Sequence, residues 1–270
     1  DRVTNYLFKL RYRVGDTMSV YGRAASGYRP GGANFSVIDP GTGEPLASPF
    51  FEPDSLWSYE AGVKGSTADG RVTYDVAVFY IDWEDYIISV NRGGITVAGN
   101  AEEASSKGAE ASLAFAAADA LTVTAVASWG RAELEADEPD LGGATGDRLP
   151  GSPEWSGALD FDYRFNLGDR PSYAGLAWRY NDGIPVGFPG YTDSMGNYFP
   201  PSAPRLDLDS YNLVDLRAGT QFGSVDFSLY ITNLFDEWAY TNFSPSFVSA
   251  SLGTPTRPRT FGAVVRWSFF

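Results

Sequence analysis

The 270-residue sequence contains no cysteine and no histidine. Without them there is no disulfide framework, no Cys or His zinc site, no Ser-His-Asp or Cys-His nucleophile and no histidine-ligated haem. No run approaches the roughly 18 consecutive apolar residues of a membrane helix. Basic residues are scarce, 20 against 34 acidic ones for a net charge of −14, which argues against a nucleic-acid partner. The opening Asp1-Arg2-Val3-Thr4 has neither the basic region nor the apolar core of a secretory leader, so no signal peptide is expected. The acidic stretch from Glu133 to Asp140, with Glu135, Asp137 and Glu138, lacks the alternating ligands and glycine of a calcium loop. No metal site and no cofactor are expected. Composition leaves room for a carboxylate-only glycosidase, but no two carboxylates pair convincingly for that work, and the chain is not expected to be an enzyme.

What the sequence does hold is aromatic residues, 15% of the total, many glycines, and a period-two alternation. Alternate residues of a strand point to opposite faces. At the C-terminus Phe261, Ala263, Val265, Trp267 and Phe269 alternate with Gly262, Val264, Arg266 and Ser268. The stretch 154–166 is cleaner still: Trp155, Gly157, Leu159, Phe161, Tyr163 and Phe165 against Ser156, Ala158, Asp160, Asp162, Arg164 and Asn166. Near the start Tyr6, Phe8, Leu10 and Tyr12 oppose Asn5, Lys9, Arg11 and Arg13. The pattern recurs about eleven times, with one face apolar and the other polar, as in a wall between lipid and water. The negative mean hydropathy is compatible with this, because only alternate residues of a barrel strand meet lipid.

The connections alternate as well. Tight turns fall near 15–16, 68–70, 118–120, 167–171 and 222–224, and longer loops near 30–55, 135–147, 183–207 and 236–257. The remaining connection, near 90–94, is short but joins two unusually long strands. Short turns on one edge and long loops on the other are expected of an outer-membrane barrel. Eleven antiparallel strands leave the first and last pointing the same way, so they cannot pair to close the barrel, and bacterial single-chain barrels have even strand numbers. An open edge in lipid would leave backbone groups unpaired. The chain is therefore expected to be a portion of a larger barrel.

On the polar face the alternation places Glu60, Lys64, Lys107, Glu110, Asp160, Asp162, Arg164, Arg179, Asp215, Arg217 and Asp226, mixed charges that fit a water-filled or plugged interior. Trp129, Trp155, Tyr163, Trp178, Tyr180 and Trp267 lie on the apolar face near strand ends, where interfacial aromatics anchor a barrel.

Several segments resemble the barrel of a TonB-dependent outer-membrane receptor. They include Ser26-Gly27-Tyr28-Arg29-Pro30-Gly31-Gly32, the run from Trp57 to Gly65, the run from Phe79 to Tyr86, Ser106-Lys107-Gly108-Ala109-Glu110, Leu149-Pro150-Gly151-Ser152-Pro153 and Asn233-Leu234-Phe235-Asp236. The resemblance spans residues 1–270, and the order and spacing of the pieces are more specific than any one of them. It implies an all-β fold, an antiparallel transmembrane β-barrel with about eleven strands of a 22-strand barrel, this being the C-terminal half. It also implies uptake of a scarce solute, a ferric siderophore or similar iron chelate first, a glycan or cobalamin otherwise, energised through the TonB complex. The implied location is the outer membrane of a Gram-negative bacterium. The implied partners are outer-membrane lipid, an N-terminal plug domain with the remaining strands, TonB acting through a region absent here, the outer-membrane assembly machinery and the solute. The last strand resembles the signal read by that machinery, carried by Phe261, Val265, Trp267, Phe269 and Phe270, although Phe270 is one residue out of the apolar register.

Ligand chemistry is expected in the loops. Arg29, Asn34 and Phe35 (with Phe50 and Phe51 nearby) and Tyr191, Asn197, Tyr198, Phe199 and Arg205 (with Phe188 nearby) offer stacking and hydrogen-bonding groups. The alternatives are a passive porin-type barrel without TonB coupling, and a secreted carbohydrate-binding β-protein that would be soluble without detergent.

Overall fold

The computed structural model describes residues 3–36, 38, 41, 43–45, 47–92, 95–201, 207–244 and 252–269. Eleven strands form one antiparallel sheet in which each strand pairs with the next in sequence. They are β1 (Leu7–Val14), β2 (Met18–Arg29), β3 (Asp54–Ser66), β4 (Val72–Arg92), β5 (Ile95–Ala118) and β6 (Leu121–Leu134). β7 (Trp155–Leu167), β8 (Arg170–Asn181), β9 (Tyr211–Phe222), β10 (Val225–Thr232) and β11 (Thr260–Trp267) complete it. β1 and β11 are its edges and do not pair with each other. Among the described residues the one helical element is a 3-10 turn, Pro139–Leu141.

The tight turns depend on local chemistry. Between β3 and β4, Gly70 adopts φ 70°, a left-handed conformation that a side chain would resist. Asp69 Oδ1 accepts bonds from Thr67 Oγ1 at 2.5 Å and from the Arg71 amide at 3.1 Å. Those bonds hold the exposed Asp69 carboxyl below its usual range.

Register decides which face each side chain occupies. Val63 lies opposite Val20 and Val76, Ala125 opposite Leu113 and Leu159, and Leu216 opposite Leu176 and Ile231. The outward row is therefore apolar from strand to strand. On β7 it runs from Trp155 to Phe165, ten steps that, at about 3.3 Å each and a tilt near 40°, span about 25 Å along the barrel axis. That matches the apolar band of an outer-membrane barrel. Aromatic pairs mark its limits, Trp129–Trp155 with ring centroids 6.2 Å apart and Tyr163–Phe165 at 5.6 Å.

The register corrects one expectation. Lys107 lies opposite Tyr80 and Arg131, in the same row as Trp129, so it belongs to the outward face and not to the polar inner face with Glu110. Three positions separate Lys107 from Glu110, an odd number, and β5 runs without a bulge between them. Lys107 is tolerated outward because it sits beyond the aromatic level, where its Nζ meets Glu133 at 2.7 Å and Glu133 also meets Arg131 Nε at 2.5 Å.

The inner face carries rings laid flat over glycines of the neighbouring strand. A Cβ on Gly62 would stand 2.6 Å from the Tyr21 ring, and one on Gly219 2.5 Å from the Tyr173 ring. These glycines let an aromatic side chain cross the strand boundary without being pushed into the lumen.

A curved sheet one layer thick has little buried interior. The buried apolar cluster lies at the long-loop end: Val97, Ala101, Ala104, Leu134, Leu141, Leu149 and Phe188, with Trp83, Tyr86, Ile88, Ala47 and Ala132 packed against it. Phe188, grouped above with the ligand-facing aromatics, is only 1% exposed and is a packing residue of this cluster.

Candidate functional site: the long-loop end and the inner wall

Four of the five connections at the long-loop end are fastened to one another, and the extended β4–β5 hairpin is their post. Asn34 from the 30–53 connection donates its Nδ2 to the Ala98 carbonyl at 2.7 Å and accepts the Ala98 amide on Oδ1 at 2.9 Å. Asn100 reciprocates from the hairpin, giving Nδ2 to the Glu52 carbonyl at 2.9 Å and taking the Glu52 amide on Oδ1 at 2.8 Å. An asparagine amide matches a peptide group donor for acceptor, so each clip satisfies backbone that would otherwise lack a partner.

At the root of that connection, Asp54 is 2% exposed. Its Oδ2 accepts Arg29 Nε at 2.8 Å and the Ile87 amide at 3.1 Å, Arg29 Nη2 makes a further close contact with it, and Oδ1 takes the Arg29 amide at 3.0 Å. The Arg29 guanidinium also gives a bond to the Ile87 carbonyl at 3.0 Å and lies 5.3 Å from the Tyr86 ring centre. Arg29, named above as a ligand candidate, is thus engaged in joining β2, β3 and β4. Asp54 carried no motif that would have singled it out.

The 135–154 connection docks on the other side of the hairpin. Glu138 is buried, and its Oε1 takes the Glu102 amide in a short contact. Burial, with the charges of Glu102 and Asp140, raises its carboxyl above the usual range, while the Glu102 amide acts in the opposite sense. Asp137 is exposed and held below its usual range by the Thr145 amide and hydroxyl, both at 2.9 Å. This connection then locks to the 182–201 segment: Gly190 N–H donates to the Gly142 carbonyl at 2.7 Å, Gly151 N–H to the Pro185 carbonyl at 2.8 Å, and Phe188 enters the apolar cluster.

Within 182–201, Tyr191–Thr192 pairs with Tyr198–Phe199, and the rings of Tyr191 and Phe199 stack at 5.0 Å. Asn197 closes this hairpin, its Nδ2 on Asp193 Oδ2 at 2.9 Å and its amide on Oδ1 at 2.8 Å, which holds the Asp193 carboxyl low. Of the sequence candidates, Phe35 at 88% and Tyr198 at 65% exposure remain open to a solute. Arg205 and Phe270 lie outside the described residues.

The fifth connection, 233–259, is organised by the Asn-Leu-Phe-Asp segment. Asn233 and Asp236 adopt φ of 51° and 57°, conformations that Asn and Asp accept more readily than most residues. Asn233 donates Nδ2 to the carbonyls of Glu237 at 2.8 Å and Arg257 at 2.9 Å. Beyond it Trp238, Tyr240 and Phe243 form an edge-to-face series, at 4.8 Å and 5.9 Å between successive ring centres. Those three aromatics had escaped sequence reasoning, because they lie in a loop with no periodicity to mark them.

The inner wall is a set of paired charges. Arg217 Nη2 reaches Asp162 at 3.0 Å and Asp160 at 3.3 Å, Arg179 reaches Asp215 at 2.6 Å, and Lys64 reaches Asp75 at 3.0 Å. Tyr21 donates its hydroxyl to Glu60 at 2.7 Å, and Tyr173 donates to Asp226 at 3.3 Å. Near the tight turns Asp162, Arg164, Tyr173, Arg217, Asp226 and Arg266 line a polar recess of about 600 Å³. Among the described residues no group of acidic side chains is placed to hold a metal ion. On β11, Phe261, Val265 and Trp267 face outward, with Phe269 packed on Trp267 at 4.5 Å between ring centres.

Comparison with known proteins extends this picture. The family model described as "TonB dependent receptor-like, beta-barrel" matches residues 1–234. The chain is 26% identical over 274 residues to the ferripyoverdine receptor of Pseudomonas aeruginosa, covering 96% of this chain and 29% of that protein. It is 27% identical over 264 residues to the pesticin receptor of Yersinia enterocolitica, covering 96% of this chain and 35% of that protein. The solved structure of the ferric yersiniabactin uptake receptor FyuA from Yersinia pestis superposes with a TM-score of 0.74 at 23% identity, covering 98% of this chain and 37% of that one, a likeness of fold. The chain thus spans about a third of the length of these relatives.

Proposed function

This chain belongs to the TonB-dependent receptor-like β-barrel family, and from that premise we propose that it is the C-terminal half of a 22-strand outer-membrane barrel that imports a metal chelate. A ferric siderophore or similar iron complex is the solute we assign. The plug, the remaining strands and the segment that meets TonB belong to parts of the protein outside this chain. No bond is broken: the long-loop end captures, and the charged inner wall faces a plug that must move before the solute passes.

One observation carries the reading. Every long connection emerges at the same end of a sheet whose outer face is apolar and whose inner face is a lattice of ion pairs. The relatives support the solute class, since they include a ferripyoverdine receptor, a metal-pseudopaline receptor and a catecholate siderophore receptor. Phe35 and Tyr198, together with the Trp238–Phe243 series, are the proposed contacts, while Arg29, Asn34 and Asn197 serve by holding the connections in place.

The test is accumulation of labelled ferric chelates by cells carrying the intact receptor, with and without a working TonB system. Energy-dependent accumulation is expected. Equal accumulation in both backgrounds would instead indicate a passive pore, and a response to glycans but not to iron limitation would overturn the solute class.

A further inference from the structure

The chain's charge is divided along the barrel axis. Segments 29–54, 82–104, 131–154, 181–210 and 233–259, which build the long-loop end, hold 22 of the 34 acidic residues and only 7 of the 20 basic ones. The strands and tight turns hold the other 12 acidic and 13 basic residues and are close to neutral. The whole negative balance therefore sits where a solute arrives.

Four of the seven cations of that end are engaged by groups of the chain itself. Arg29 is fixed on buried Asp54, and Arg131 on Glu133 at 2.5 Å. Arg148 reaches the Ser152 carbonyl at 3.2 Å and Glu154 at 3.9 Å, and Arg259 donates to the Leu234 carbonyl at 3.3 Å. Arg257 is exposed, and the side chains of Arg92 and Arg205 lie outside the described residues. Recruiting Arg29 or Arg131 for an anionic solute would take a partner from a carboxylate, and for Arg29 that carboxylate is buried. By contrast the exposed carboxylates of Glu52, Asp209 and Glu237, on three different connections, make no side-chain bond to another described residue.

A polyanion approaching this end meets acidic residues that outnumber basic ones 22 to 7, whereas a cationic or neutral complex meets attraction or none. We propose that the solute captured here carries no net negative charge: a neutral or cationic metal chelate, with aromatic contacts supplying affinity. This rests on the metal-chelate reading above and narrows it.

The experiment measures binding of three ferric complexes of similar size to the intact receptor in outer-membrane vesicles, at low and high salt. One is a trianionic tris-catecholate, one a neutral cyclic tris-hydroxamate and one a monocationic linear tris-hydroxamate. The neutral and cationic complexes are expected to bind about tenfold or more tightly than the trianion at low salt, with the gap for the cation narrowing as salt rises. The combined variant Glu52→Gln, Asp209→Asn, Glu237→Gln is expected to weaken the cation and leave the neutral complex unchanged. Tightest binding of the trianion, strengthening as salt is lowered, would overturn the charge assignment alone. Binding of none of the three, with a glycan bound instead, would overturn the metal-chelate reading and this inference with it.

Discussion

Arg29 and Asp54 close the β2–β3 ladder at its last rung, backbone to carboxylate and guanidinium to carboxylate, with Tyr86 beneath the guanidinium. The geometry makes Asp54 the hub of three strands, since the Ile87 amide of β4 converges on the same oxygen. Asp54→Ala leaves the Arg29 and Ile87 amides without their acceptor and is expected to cost about 2–3 kcal/mol locally, the order found when buried hydrogen-bonding groups lose their partner. Amide hydrogen exchange at Ile87 should accelerate by about two orders of magnitude. Unchanged protection would show that the carboxylate is not what holds the hairpin.

The two faces of β10 give a sharper contrast. Phe227 lies opposite Thr220 and Val265 on the outside, and Ser228 lies opposite Gly219 and Val264 on the inside. Phe227→Lys should lower stability in lipid by about 2–4 kcal/mol, while Ser228→Lys should be tolerated. Denaturant unfolding of the refolded barrel in vesicles measures both. Equal losses would mean that the facing is wrong.

Gly219→Ala would press a methyl group into the Tyr173 ring and pull the Tyr173 hydroxyl off Asp226. Overpacking of this kind costs about 1–3 kcal/mol. A second change, Tyr173→Ser, should remove most of the added penalty. A double-mutant cycle showing additive effects would refute the proposed contact.

Acid should act on neighbouring connections in opposite senses. Glu138 is protonated more readily when its loop is docked than when it is free, because burial raises its carboxyl above the ordinary glutamate value of 4.5. Docking is therefore strongest below that ordinary value and weakens as pH rises through the higher docked value. Asp193 is held low by Asn197, so the hairpin it caps is favoured above the ordinary aspartate value of 3.8 and loosens as pH falls through the lowered one. Exchange rates at the amides of Glu102 and Asn197 against pH report each loop separately. Glu138→Gln should flatten the first profile and leave the second intact.

The strands were legible in the sequence because a wall with lipid on one side and charge on the other writes its facing into every second residue. The register bears this out at Val76, Leu159, Leu216 and Phe227. The reading failed at Lys107, where the run from Val97 to Ala111 is mostly Gly, Ala, Ser and Glu and offers little contrast between faces. It failed again at Phe188, since beyond the membrane the connections pack on one another and exposure no longer follows alternation. The segment Asn233 to Asp236 was visible only as a piece of the family resemblance, and the role of Asn233 in fixing the Glu237 and Arg257 carbonyls needed coordinates. Asn100 and Asp54 gave no signal, because a residue that binds distant backbone leaves no local trace.

The clips made by Asn34, Asn100 and Glu138, with Phe188 as their common keystone, have a practical meaning for anyone wishing to retarget the protein. A single connection transplanted from a relative would arrive without its mates and leave their buried surfaces unmatched. Segments 30–53, 82–104, 135–154 and 182–201 should be exchanged as one cassette, and 233–259, whose Tyr240–Ser244 strand lies beside Asp207–Leu208, should travel with them.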